Sequence, residues 1–358
     1  MRRVLLTPLD WGLGHATRCI PIVRELLKRS YIVYIAASGD SLVLLRNEFP
    51  SLTFFFLPGY NPRYSSSGNM VLKMAFQFPK FIKVIKKEHE IVEALIEEFN
   101  IDLVISDNRY GCWSSKIPTV IITHQLNILM PKRMTWLSKG VRILNEYMIK
   151  KFSFCWIPDH PGRFSLAGEL THYNANSLKQ VTHIGPLSRF SKIPGLQIKY
   201  DVLCILSGPE PQRSIFEKIV KGQLKDSGLT YFIVRGILSL SGSSKENEAE
   251  FLNSEELQTV IQQSSLIIAR SGYSTIMDLC ALGKKAIFIP TPNQTEQEYL
   301  AKKLNDKNVT YGMPQHRFDL KMALRESKTY SGFTNEFEYT DGLLNNALNQ
   351  ISIMFKNR

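Results

Sequence analysis

The sequence has no apolar run long enough to cross a membrane, no cysteine pair at metal-ligand spacing and no Asp-x-Asp pair to hold a metal. A helical bilayer span needs roughly 18 or more consecutive apolar residues, so no membrane-crossing helix is expected. The five cysteines, Cys19, Cys112, Cys155, Cys204 and Cys280, stand singly in apolar surroundings. An odd number without clustering argues for buried thiols in a reducing compartment, against a disulfide framework or a zinc site. Acidic residues are the minority, 32 against 44 basic, for a net charge of +12. That imbalance favours an anionic partner such as nucleotide phosphates or an acidic membrane face. Nucleic acid is not expected, because the basic residues are spread along the chain and not interleaved with aromatics. The chain opens almost directly on a strand-forming run, with nothing resembling a leader, so a cytoplasmic location is expected, if need be at the inner face of the membrane.

What is present is a regular alternation of short apolar runs and amphipathic stretches. Strands are expected at 4–9, 31–38, 52–57, 103–107, 119–123 and 154–158, and again at 202–206, 231–236, 265–269 and 286–290. Helices are expected at 20–28, 41–47, 213–224 and after 272, with a long helical region up to Phe99 interrupted at Pro79. Loops are expected around Asn61, Pro62, Arg63 and the Ser-Ser-Ser-Gly run that follows, where mobility is anticipated, and in the Ser/Gly/Glu stretch after Gly236. At 358 residues the chain exceeds one ordinary core. Near-continuous apolar strands alternating with helices imply doubly wound parallel sheets. The expected class is α/β with two Rossmann-like domains, 1–185 and 186–339. Residues 340–358 form a last amphipathic helix placed to pack back on the first domain.

One stretch, 270–298, organises the second half. The apolar run at 265–269 enters the turn Arg270-Ser271-Gly272, and Ser274 and Thr275 open the following helix, with Ser274 expected to cap it. Ligands of open α/β sheets bind where strands end and helices begin. A helix N-terminus after Ser-Gly suits a phosphate. Asp278, one turn on, has the two acceptors that vicinal ribose hydroxyls require. Gln294, Gln297 and Glu298 lie on the next loop and helix, placed to read sugar hydroxyls. The alternative is an ordinary capped βαβ unit.

Arg270-Ser271-Gly272, Asp278, Gly283, Pro290 and Gln297 stand in an order and spacing that resembles the family of GT-B glycosyltransferases containing the peptidoglycan lipid-intermediate N-acetylglucosaminyl transferase. The resemblance covers about 185–305. It implies a UDP-sugar donor held in the cleft between two domains, with no bound metal. It further implies that the Arg-Ser-Gly turn faces the diphosphate, that Asp278 stands at a ribose-binding glutamate position, and that Gln297 contacts the donor sugar. Glu298 replaces a second glutamine of the family. Gly185-Pro186 with Arg189 resembles a junction segment whose arginine lies near the phosphates. Ser207-Gly208 resembles a donor-cradling loop, although the continuation 209–213 departs from the family. Phe251-Leu252 falls where the family sets an aromatic–aliphatic pair against uracil; core packing is the alternative.

The N-terminal loop Gly12-Leu13-Gly14-His15 resembles the family's glycine-rich loop ending in histidine. A histidine there would suit a general base that deprotonates an acceptor hydroxyl, or a phosphate or cap contact. The family's following proline is displaced to Pro21, and residues 15–19 are also similar to a UDP-sugar hydrolase of nonulosonic acid synthesis that uses water as acceptor. Asp10, residues 106–109 and residues 123–125 end parallel strands on the same edge. Asp107 is a candidate to orient His15, and His124 is a second candidate base; loop hydrogen bonding is the alternative for both. Basic, amphipathic segments at 70–87 and 130–152 suggest an anionic membrane surface and a glycan or lipid-linked acceptor, against a plain solvated helix face. The leading reading is therefore an inverting UDP-sugar glycosyltransferase of envelope or surface glycan assembly. A hydrolase on the same fold and a non-catalytic donor-binding subunit of a membrane transferase are the alternatives.

Overall fold

The computed structural model describes residues 1–61, 70–173, 177–178, 180–237, 244–333 and 342–356. The loops expected at 62–69 and at 238–243 lie outside the described residues. The chain divides into one unit built from Met1–Arg63, Val71–Leu187 and Tyr339–Arg358, and a second built on Ser188–Glu338.

In the first unit the apolar runs become β1 (Arg3–Pro8), β2 (Ile32–Ala37), β3 (Thr53–Phe56), β4 (Leu103–Asp107), β5 (Thr119–Ile122), β6 (Phe154–Ile157) and β7 (Val181–His183). They form a parallel sheet in the order β3-β2-β1-β4-β5-β6-β7. Helices α1 (Leu13–Lys28), α2 (Gly39–Glu48), α3 (Met70–Phe99) and α4 (Ser138–Ile149) connect and flank them. Strand order reverses between β1 and β4, which makes the crevice at their C-terminal ends the place for a ligand. On one face Leu5, Ala36 and Val104 pack with Val92, Leu95 and Ile96 of α3.

Two helices of the first unit contain an internal proline. Helix α1 begins seven residues before Ile20, directly on Gly12, and runs through Pro21. A proline inside a helix costs about 3 kcal/mol, but α1 buries Ala16, Cys19, Ile20, Ile22, Val23 and Leu26. Full burial of one large aliphatic side chain stabilises by about 1.5–3 kcal/mol, so several outweigh the proline. Helix α3 likewise passes unbroken through Pro79.

The second unit contains β8 (Tyr200–Ile205), α5 (Gln212–Leu224), β9 (Tyr231–Val234), β10 (Ser244–Lys245), β11 (Glu248–Ala249), α6 (Ser254–Gln262), β12 (Ser264–Ala269), α7 (Tyr273–Leu282), β13 (Ala286–Phe288), α8 (Thr295–Asp306), β14 (Tyr311–Gly312) and α9 (Leu320–Glu326). Its sheet order is β10-β11-β9-β8-β12-β13-β14, parallel except for the β10–β11 pair. The switch point here falls between β8 and β12. Val202, Cys204, Ile268 and Ile287 pack under Phe216 and Val220 of α5. The final helix, α10 (Gly342–Lys356), belongs to the first unit: Arg29 donates to Asn349 Oδ1 (2.8 Å) and Asn345 Oδ1 (2.7 Å), and Arg2 to the carbonyl of Phe355 (3.1 Å).

Beneath the first sheet edge lies a fully buried ion pair. Arg109 Nη1 meets Glu88 Oε1 at 2.8 Å, and the guanidinium also donates to the carbonyls of Pro8 and Pro58 and to Ser38 Oγ. Tyr60 OH and the Gly111 amide donate to the other oxygen of Glu88. Removing one partner strands a buried charge, so Arg109→Met is expected to lose about 3–5 kcal/mol of unfolding free energy. Urea unfolding would check this, and a loss below about 1 kcal/mol, the range of surface pairs, would contradict it.

Candidate functional site

In the first unit, candidate residues gather at the β1/β4 switch point. Gly12, at φ 84°, takes a backbone conformation that side chains rarely adopt and turns the chain from β1 straight into α1. Gly14 follows in the first turn of α1, and His15 completes it. Asp107 ends β4 and is fully buried; His124 follows β5 and is buried as well. His15 Nδ1 lies 3.3 Å from Asp107 Oδ2, and its ring keeps 16% of its surface exposed.

A residue that sequence reasoning missed joins these three. Arg18, 2% exposed, donates from Nε to Asp107 Oδ2 at 2.6 Å and from Nη2 to Asp107 Oδ1 in a short bond. The same guanidinium reaches His15 Nδ1 (2.9 Å, from Nη2) and His124 Nδ1 (3.2 Å, from Nη1). The available signal was helical spacing, since residues three apart share a helix face. Burial alone would raise the Asp107 carboxyl, but Arg18 and then His15 hold it well below the usual carboxylate range. Burial lowers His15 below its ordinary value, Arg18 adds to the effect, and Asp107 opposes it. His15 is therefore an uncharged imidazole at neutral pH. Burial pushes the neighbouring Cys19 thiol well up, which makes it an unreactive packing residue.

Of the other residues on this edge, Asp10 accepts from the Tyr60 amide through both oxygens, at 3.0 and 3.3 Å. Arg109 is sealed in the ion pair described above and does not line an acceptor site. The Thr123 hydroxyl accepts from the Gln125 amide.

In the second unit, a separate group of candidate residues gathers at the β8/β12 switch point. Ser207 and Gly208 follow β8, with Gly208 at φ 100°. After β12, Ser271 is buried and donates to the carbonyl of Gln297 at 2.7 Å. Helix α7 starts at Tyr273 with Gly272 as its N-cap, so Ser274 lies inside the first turn and does not cap it. The extended backbone at Gly272 forces this, and no side chain at the cap competes for the first-turn N–H groups there. Thr275 follows in that turn. Gly283, at φ 66°, ends the helix in the left-handed conformation.

Arg270 is placed differently from the phosphate-facing role that the resemblance implies. Its guanidinium is 1% exposed, lies 4.4 Å over the Phe216 ring, and donates to the carbonyls of Ile289, Pro290 and Gln212 and to Gln315 Oε1. Burial lowers it to about 10, still charged at neutral pH. Arg270 thus ties the start of α5 to the segment after β13.

Asp278 lies on α7, buried, and its Oδ1 accepts from Ser188 Oγ at 2.7 Å. Burial raises its carboxyl to about 6, against the opposing pull of Arg189 and Ser188. Arg189 donates to Ser254 Oγ at 3.2 Å and stacks on Phe190. Phe251 and Leu252 are half-buried in the loop before α6. Gln297 Oε1 accepts from the Thr291 amide (2.8 Å) and Glu298 Oε1 from the Asn293 amide (3.0 Å), so both shape the loop before α8. Within that loop the buried atoms Gln294 Oε1 and Thr291 Oγ1 have no hydrogen-bond partner among the described residues. Thr291 was not anticipated, and its Oγ1 lies against Gly208 of the loop after β8. Buried polar atoms without partners are rare in folded proteins.

Among the described residues no group of three His, Cys, Asp or Glu side chains is arranged for a metal ion. No described helix is long and apolar enough to cross a membrane.

Two Rossmann-like parallel sheets, each with polar residues gathered at its switch point, define the GT-B fold of glycosyltransferases. Residues 238–334, the stretch containing α6 to α9, match the glycosyltransferase family 28 C-terminal domain. The chain is similar to an uncharacterised glycosyltransferase of Methanosarcina acetivorans, 25% identical over 312 residues, covering 80% of this chain and 79% of the relative. It is also similar to the UDP-N-acetylglucosamine--N-acetylmuramyl-(pentapeptide) pyrophosphoryl-undecaprenol N-acetylglucosamine transferase of Actinobacillus pleuropneumoniae, at 23% identity over 87% of this chain and 82% of that one. Among solved structures, the glycosyltransferase of kitacinnamycin superimposes with a TM-score of 0.64, 17% identity and 98% of each chain covered. Similarity to the UDP-sugar hydrolase is not among these findings.

Proposed function

We propose that the protein is an inverting glycosyltransferase that moves a sugar from a UDP-sugar to a hydroxyl acceptor in envelope or surface glycan assembly. The observation that carries this reading is the match of residues 238–334 to the glycosyltransferase family 28 C-terminal domain, over the stretch that holds the Ser271-Gly272 turn and Asp278. The second unit offers the Ser207-Gly208 and Ser271-Gly272 turns to the diphosphate. Asp278 takes the ribose hydroxyls, and Phe251 and Leu252 flank the base. His15, in the tautomer that donates Nδ1–H to Asp107, accepts the acceptor's hydroxyl proton at Nε2 as that oxygen attacks the anomeric carbon. The anomeric C–O bond to UDP breaks with its electron pair leaving on the diphosphate, whose charge the turn amides stabilise.

UDP release from a panel of UDP-sugars, without added acceptor, tests the reading. A transferase is expected to bind UDP in calorimetry yet release little of it. Rapid stoichiometric release from one sugar would establish a hydrolase, and absence of UDP binding would remove the donor assignment.

A lipid-linked acceptor is the acceptor class that the surface favours. Trp136 is 75% exposed and Ile143 and Tyr147 more than half exposed, next to exposed Lys139, Arg142 and Lys150 on or beside α4. Apolar side chains ringed by cations suit an anionic bilayer surface. Sedimentation with phosphatidylglycerol vesicles is expected to retain the protein, and a Trp136→Glu/Ile143→Glu variant to lose that retention. Equal retention by neutral phosphatidylcholine vesicles, or by the variant, would refute this surface.

A further inference from the structure

The four groups at the β1/β4 switch point make two incompatible demands on one atom. A neutral imidazole carries a single ring proton, so His15 Nδ1 is either an N–H donor or a lone-pair acceptor. Asp107, an ionised carboxylate, can only accept, and its bond to Nδ1 requires the proton there. Arg18 can only donate, and its bond to Nδ1 requires the lone pair. The distances favour Arg18: 2.9 Å lies at the usual N–H hydrogen-bond length, whereas the 3.3 Å to Asp107 lies beyond the ordinary range. Asp107 has little need of His15, since both its oxygens already accept from Arg18 and the Cys19 thiol lies 3.8 Å from one of them. The contact from Arg18 Nη1 to His124 Nδ1 imposes the same requirement on the second histidine.

We propose that Arg18 is a positioning residue that sets the tautomer of His15: by donating to Nδ1 it places the ring proton on Nε2 in the resting protein. In that state the exposed side of His15 is a hydrogen-bond donor and not a base. It becomes a base only when Arg18 withdraws from Nδ1, one proton leaving Nε2 to water as another reaches Nδ1 from water, so that Asp107 is its sole partner. The consequence for turnover rests on the role proposed for His15 above. Arg18 then restrains the base between turnovers, and limits proton removal from water when no acceptor is bound.

The resting tautomer can be read without substrate, and so independently of any activity. Nitrogen-15 NMR of histidine side chains in the full-length protein at neutral pH, with His15 assigned by loss of its signals in His15→Gln, reports which ring nitrogen carries the proton. The expected wild-type result is a bare Nδ1 and a protonated Nε2. Arg18→Lys keeps a cation for Asp107 but lacks the second arm that reaches His15, and is expected to move the proton to Nδ1. A wild-type Nδ1–H would overturn the proposal from the first spectrum alone, even if the variant does not fold. A tautomer unchanged in folded Arg18→Lys would remove Arg18 as its cause.

Discussion

His15→Ala is expected to lower turnover by about 10²–10⁴-fold, the usual contribution of a positioned acid–base group, while leaving UDP affinity unchanged. The split follows from where the residue sits. His15 belongs to the first unit, on α1, and every residue proposed to hold UDP belongs to the second. Its ring combines an exposed side with an anchored one, which a reacting group needs and a packing residue does not. Because burial and Arg18 lower its proton affinity, the acid limb of the turnover profile is expected below pH 6.5, the ordinary histidine value. Steady-state turnover and UDP calorimetry on the same preparation check both parts. Unchanged turnover would take His15 out of the mechanism, and a parallel loss of UDP affinity would recast it as a binding residue.

Asp278→Ala is expected to weaken UDP binding by about 10–100-fold, the worth of hydrogen bonds made by a charged group. The wild-type protein carries a related pH signature. The Asp278 carboxyl titrates near 6 in the folded chain against 3.8 as a free side chain. Below pH 6 it is protonated and offers ribose a poorer acceptor, so UDP affinity falls as pH falls through about 6. Stability moves the opposite way. A carboxyl raised on folding binds its proton more tightly in the folded state, so acidification from pH 6 to 4 stabilises the free protein through this group, by on the order of 2–3 kcal/mol. Calorimetric UDP titrations across pH 5 to 8, compared between wild type and Asp278→Ala, separate this group from others. A pH dependence that survives in the variant would assign it elsewhere.

Much of the architecture can be read from local pattern. The run at 103–107 is a strand with the same limits in the structure, and those at 119–123, 154–158 and 265–269 shift by one residue at an end. Short β-branched runs buried on both sides leave few other choices. Strands β7 and β14 have three and two residues and escaped notice, because pairing with a neighbour defines them and not their own composition. Helix α1 starts at 13 and not at 20, and α3 passes through Pro79 without the expected interruption, because burial against a sheet outweighs local propensity.

The site divides along the same line. His15 behind Gly12 and Gly14, Asp107 at a strand end, and the 270–298 stretch were visible as residue types at strand–helix turns. Arg18 was not, since its partners Asp107 and His124 are 89 and 106 residues away. Nor was the inward turn of Arg270, whose partners come from α5, the loop after β13 and Gln315.

The sequence by itself determined a two-sheet α/β chain of GT-B type, with its polar groups at the C-terminal ends of strands, because periodicity and turn chemistry are local properties. Only the tertiary structure decided which of those polar groups are already spent on each other. Gln297 and Glu298 brace a loop, Arg270 anchors carbonyls, Asp107 is neutralised by Arg18, and Thr291 and Gln294 keep unpaired oxygens. The physical reason is that a side chain's hydrogen bonds and charge depend on neighbours the fold brings from distant parts of the chain, and burial makes each of those pairings either complete or costly.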